Sequence, residues 1–136
     1  MPGYLAIIAG KDEFLVDQDG RACFEKAKKA AGADAEAEVI NGQIIRVDDA
    51  RVLEVQFTES VKTLSMFGSK RVIWLRNLNL VSDSVQAKSE EVKESLANML
   101  KVVVESDPAV SIIISATPYD GRRKDLSSLK SEATDF

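Results

Sequence analysis

The chain has 136 residues and a net charge of −4, enough sequence for one domain with a real hydrophobic core. Its 45% hydrophobic and 29% charged residues are an ordinary balance for a soluble globular protein, and no run approaches the roughly 20 apolar residues of a membrane span. Having no histidine excludes Ser-His and Cys-His nucleophiles, the single Cys23 excludes an internal disulfide, and the acidic balance excludes an overall electrostatic footprint for nucleic acid.

Met1-Pro2-Gly3 leads straight into an unbroken apolar run, Tyr4 to Gly10, which reads as a buried strand with no secretion signal before it. With the lone cysteine, read as a small buried residue on a helix face, this fits a reducing cytoplasm. The next turn sits where a phosphate-cradling loop, G-x-x-x-x-G-K-[ST], would stand. Counted from Gly10, its Gly, Lys and Ser/Thr places hold Leu15, Val16 and Asp17, and two apolar side chains and a carboxylate cannot hold a triphosphate. A helix is expected from about Glu13 to Ala31, with Asp12 as N-cap and an inward stripe of Val16, Gly20, Cys23, Ala27 and Ala30/Ala31.

Ala37-Glu38-Val39-Ile40 reads as a second short strand ending at Asn41-Gly42. That dipeptide is also a hairpin signal, so Gln43 to Val47 is an alternative returning strand. Asp48 or Asp49 is expected to cap a helix from about Ala50 to Thr63, with the stripe Leu53, Phe57, Val61, Leu64. Ser65 to Ser69 forms a short apolar tip closed by Gly68, and Arg71 to Leu75 is a third strand in which Trp74 packs rather than binds.

After a polar loop with cap candidates Ser82, Asp83 and Ser84, a long helix is expected over about Ala87 to Glu105. Val92, Leu96, Met99/Leu100 and Val103 face inward, the run Ser89 to Glu94 is a solvated acidic face, and Asp107-Pro108 stops the helix. Val110 to Ser115 is the fourth strand. Asp120-Gly121 opens a last helix to about Glu132, and Ala133 to Phe136 begins a fifth strand, as in a fragment cut from a longer protein. Strands alternating with helices predict a three-layer α/β domain around a parallel sheet, its strand order not fixed by pattern.

Gly10-x-Asp12-Glu13-Phe14-Leu15-Val16-Asp17, Thr63-Leu64-Ser65-Met66-Phe67-Gly68 and Arg71-Val72-Ile73-Trp74-Leu75-Arg76-Asn77-Leu78 occur in an order and spacing that resembles the amino-terminal domain of the bacterial DNA polymerase III delta subunit. Ile112 to Ala116 and Arg122-Arg123-Lys124 also fit, while the stretch from Gly42 to Leu53 is longer than the family pattern. The resemblance implies a degenerate P-loop NTPase (AAA+-like) fold, with a five-stranded sheet in the order 5-1-4-3-2 and no nucleotide, cofactor or metal. Where an ATPase ends its third strand in Asp-Glu, this chain has Arg76-Asn77. The implied role is that of a non-catalytic clamp-loader subunit within a DNA-directed DNA polymerase, a nucleotidyltransferase. Its partners would be the sliding clamp and the gamma/tau and delta prime loader subunits, with DNA touched only indirectly or weakly and no membrane. Residues 1–136 would be its first domain, followed in the full protein by lid and collar domains.

By position, the family's clamp-binding hydrophobic pair falls on Met66-Phe67, with Leu64 packing beneath or joining them. Arg122, Arg123 and Lys124 are candidates for a nucleic-acid or partner contact, against a solvated helix face. An alternative of another class is a small-molecule α/β enzyme using Lys11, Asp12, Asp120 and Arg122 at the carboxyl ends of the strands.

Overall fold

The computed structural model describes residues 2–10, 12–63, 70–79 and 89–117. Along them run β1 (Tyr4–Ala9), α1 (Glu13–Ala31), β2 (Glu36–Asn41), α2 (Val47–Lys62), β3 (Arg71–Leu78), α3 (Glu90–Glu105) and β4 (Val110–Ala116). The four strands form one parallel sheet in the order β1-β4-β3-β2. Tyr4 is level with Ser111, Ile73 with Ile112, and Glu36 with Arg71. The fifth strand expected at 133–136 lies outside the described residues.

Parallel strands need crossovers, and the helices supply them on both faces. α1 carries the chain from β1 to the far edge, and α2 and α3 return it on the opposite face. Alternation sorts the strand residues accordingly. Ala6, Val72, Trp74 and Ile113 pack with Phe24 and Ala27 of α1. Leu5, Ile7, Ile40, Ile73, Leu75, Ile112 and Ile114 pack with Leu53 and Phe57 of α2 and with Leu96 and Met99 of α3.

The buried face of α1 is Val16, Gly20, Phe24 and Ala27. Phe24 therefore replaces Cys23 in the expected stripe, with Cys23 only half-buried and Ala30 exposed. The helical period explains the shift: continuing from Val16 and Gly20 by four and then three residues reaches Phe24 and Ala27. Gly20 lets the helix lie close, since a Cβ there would meet the Trp74 ring at 3.1 Å and Ser115 Cβ at 3.2 Å. β2 departs from the expected strand buried on both faces: its Ala37 and Val39 are exposed, so α1 does not cover this edge.

Asn41-Gly42 does not turn a hairpin. The Gly42 N–H donates to the Arg76 carbonyl at 2.6 Å, extending the approach to β3. A Cβ on Gly42 would sit 3.0 Å from both the Arg76 oxygen and Leu78 Cα. The Asn79 amide then grips the backbone of Ile44, its Oδ1 accepting from the N–H at 3.0 Å and its Nδ2 donating to the carbonyl at 2.8 Å. With its backbone held this way, 43–46 leads into α2 instead of forming a strand. α2 starts at Val47, three residues before the expected Ala50, because Asp49 acts from within the first turn: its Oδ2 accepts from the Arg46 N–H at 3.0 Å. α3 likewise starts at Glu90 rather than Ala87, capped by Ser89, whose Oγ accepts from the Val92 N–H at 3.2 Å. The other cap candidates, Ser82, Asp83 and Ser84, lie outside the described residues.

Candidate functional site

The carboxyl ends of β1, β3 and β4 meet the start of α1, where the crossovers diverge to opposite faces and open α/β sheets place their ligands. Asp12 caps α1 as expected, its Oδ1 accepting from the Leu15 N–H at 3.1 Å. In the next turn Asp17 reaches across to β3. Arg76 donates to it through both Nε, at 2.6 Å to Oδ1, and Nη2, at 3.0 Å to Oδ2. Its hydrogen bonding to the Asp17 carboxylate raises the Arg76 pKa above its ordinary value against the opposing pull of burial. The Arg76 guanidinium also lies 5.2 Å from the Trp74 ring centroid, and that of Arg21 lies 5.4 Å from it.

Trp74 is 1% exposed and donates through Nε1 to Ser115 Oγ at 2.9 Å, so it packs, as its sequence context predicted. Beyond Leu75 the β3–β4 register breaks, and Asn77 adopts a left-handed backbone at φ 58°. Its N–H donates to the same Ser115 hydroxyl at 3.3 Å. Glu13, Phe14, Asp17, Gln18, Arg21, Arg76 and Asn77 line an open cleft of about 590 Å³.

These residues do not fit a magnesium nucleotide. The Ser/Thr place of a phosphate loop carries the Asp17 carboxylate, which repels phosphate, and the end of β3 carries a guanidinium where a metal needs an acid. No group of three or more His, Cys, Asp or Glu that could hold a metal ion occurs among the described residues. Of the residues named for the alternative small-molecule chemistry, Asp12 is committed to its helix cap, while Lys11, Asp120 and Arg122 lie outside the described residues.

Leu64, Met66 and Phe67 fall in 64–69, outside the described residues, and Arg122, Arg123 and Lys124 lie outside them too. The two flanks of the tip are described and firmly held. Thr63 ends α2 with its N–H and its hydroxyl both donating to the Glu59 carbonyl, at 3.0 and 2.6 Å. On the other flank the Lys70 carbonyl accepts from the Glu36 N–H at 3.0 Å. Beneath them Arg71 of β3 pairs with both Glu36 and Glu38 of β2, and Ser60 of α2 donates to Glu38. α2, β2 and β3 are thus cross-linked around the residues that flank 64–69 in the chain. The sequence reading missed this network. Its signal was Glu36-x-Glu38-x-Ile40, two charges sharing a strand face with a buried aliphatic residue and so needing a partner. It missed the Asp17–Arg76 pair as well, for which a separation of 59 positions leaves no local signal.

Residues 6–136 match the model of the family described as DNA polymerase III, delta subunit. No curated protein matches the chain. No helix among the described residues is long and apolar enough to cross a membrane. The chain belongs to the DNA polymerase III delta subunit family, a non-catalytic clamp-loader component of the replication machinery.

Proposed function

We propose that this member of the delta subunit family binds the sliding clamp through Met66 and Phe67, with Leu64 packed beneath or beside them, and helps open the clamp for loading onto primed DNA. The observation that carries this reading is the cross-linked base at the amino-terminal ends of β2 and β3, formed by residues that flank 64–69 in the chain. A held base lowers the ordering cost of presenting an aromatic and a flexible aliphatic side chain to an apolar pocket. Each such side chain contributes about 1.5–3 kcal/mol when fully buried.

The scaffold is a degenerate AAA+-like domain whose nucleotide site is defunct, and the misfit of Asp17 and Arg76 to phosphate and metal supports that reading. It works in the cytoplasm beside the gamma/tau and delta prime subunits, within a holoenzyme classed as a DNA-directed DNA polymerase. DNA is touched only indirectly or weakly, with Arg122, Arg123 and Lys124 serving a partner or nucleic-acid contact. A pull-down with the cognate sliding clamp tests the proposal. The parent protein should retain the clamp and Met66→Ala/Phe67→Ala should lose it; equal capture by both would show that the anchor lies elsewhere.

A further inference from the structure

The cleft at the start of α1 is lined by two guanidiniums, Arg21 and Arg76, and two carboxylates, Glu13 and Asp17, of which Asp17 is bonded to Arg76. Arg21 follows Asp17 by four residues, so the two share one helix face, and Arg76 approaches from β3. Both guanidiniums lie against the same indole, at 5.4 and 5.2 Å from the Trp74 centroid. Trp74 is itself fixed by its bond to Ser115, which gives the two cations a rigid backing. Asp17 meets Arg76 through two hydrogen bonds, at 2.6 and 3.0 Å, the fork geometry in which a guanidinium also recognises phosphate.

We propose that Asp17 is an internal ligand: its carboxylate occupies the guanidinium fork of Arg76 and so closes the cleft, which Arg21 also lines, to phosphate groups. One residue type at one position then has two effects. It removes the hydroxyl that a phosphate loop needs there, and it supplies a tethered anion whose effective concentration no free phosphate matches. This inference rests on the reading of the cleft as a lapsed nucleotide site and does not depend on clamp binding.

Replacing the carboxylate by a hydroxyl, Asp17→Ser, should open the site. Both side chains of the pair are partly exposed, so the fold does not depend on it. The probe is inorganic phosphate at constant ionic strength, read by thermal denaturation. The parent should show no phosphate-dependent rise in Tm. The variant should gain about 4 °C when phosphate reaches ten times its Kd, and Asp17→Ser/Arg76→Gln should lose that gain. Asp17→Asn, which keeps the side-chain shape, is measured alongside and stands in if the serine variant does not fold. A parent that responds to phosphate as strongly as the variants overturns the inference. So do folded serine and asparagine variants that both fail to respond.

Discussion

Ser115→Ala removes the acceptor shared by two donors at the carboxyl end of the sheet: the Trp74 Nε1–H at 2.9 Å and the Asn77 N–H at 3.3 Å. Ser115 is fully buried and Trp74 is 1% exposed, so water does not readily replace the lost oxygen. Little volume is lost, and the penalty is mainly that of a stranded donor, about 1–3 kcal/mol. The indole bond is buried and of good length while the Asn77 bond is long and partly buried, which sets the expected loss near 2 kcal/mol and the fall in Tm near 8 °C. Trp74→Phe removes the indole donor and leaves space, costing about 2–3 kcal/mol by itself. In the double variant no indole N–H remains to be stranded, so the combined loss should fall short of the sum by about 1 kcal/mol. Equilibrium urea denaturation of the four proteins measures this, followed by circular dichroism because Trp74 is the chain's single tryptophan. Additivity within about 0.3 kcal/mol would refute the reasoning, since it would mean the indole N–H is satisfied without Ser115.

Phe57, fully buried between α2 and the sheet, should cost about 3–5 kcal/mol when changed to alanine, seen as a lower urea midpoint. Gly42→Ala should destabilise by about 1–3 kcal/mol in the same assay, because its Cβ would meet backbone atoms of Arg76 and Leu78 rather than a side chain that can turn aside. Asp12→Ala should cost about 1 kcal/mol through the lost α1 cap, and amide exchange should quicken in the first turn of that helix before anywhere else.

The core was largely legible because burial on both faces writes an unbroken apolar run. β1 and β4, and β3 as far as Leu75, stand out in this way. β3 continues to Leu78 through Arg76 and Asn77, where the side chains face a polar cleft and the backbone breaks register, so no apolar pattern marks it. β2 is masked by Glu36 and Glu38, charges that make sense only once Arg71 and Ser60 stand across from them. Helix starts were displaced where a cap acts from an unexpected position: Asp49 pulls the start of α2 back to Val47, and Ser89 holds α3 to Glu90. The order β1-β4-β3-β2 agrees with the part of the expected 5-1-4-3-2 order that falls on the described strands. That order came from the family resemblance, since periodicity carries no information about which strand lies beside which. That 10–17 does not carry a phosphate-loop sequence was legible at Leu15, Val16 and Asp17. What Asp17 does instead was not, because its partner arrives only when β3 comes to lie near α1.

Surface plasmon resonance on immobilised cognate clamp, comparing the parent with Met66→Ala/Phe67→Ala at matched thermal stability, addresses the role of the tip most directly. Losing two buried anchors should raise the Kd by at least about 100-fold. Unchanged affinity in a folded double variant would contradict the assignment of the tip as the clamp-binding element.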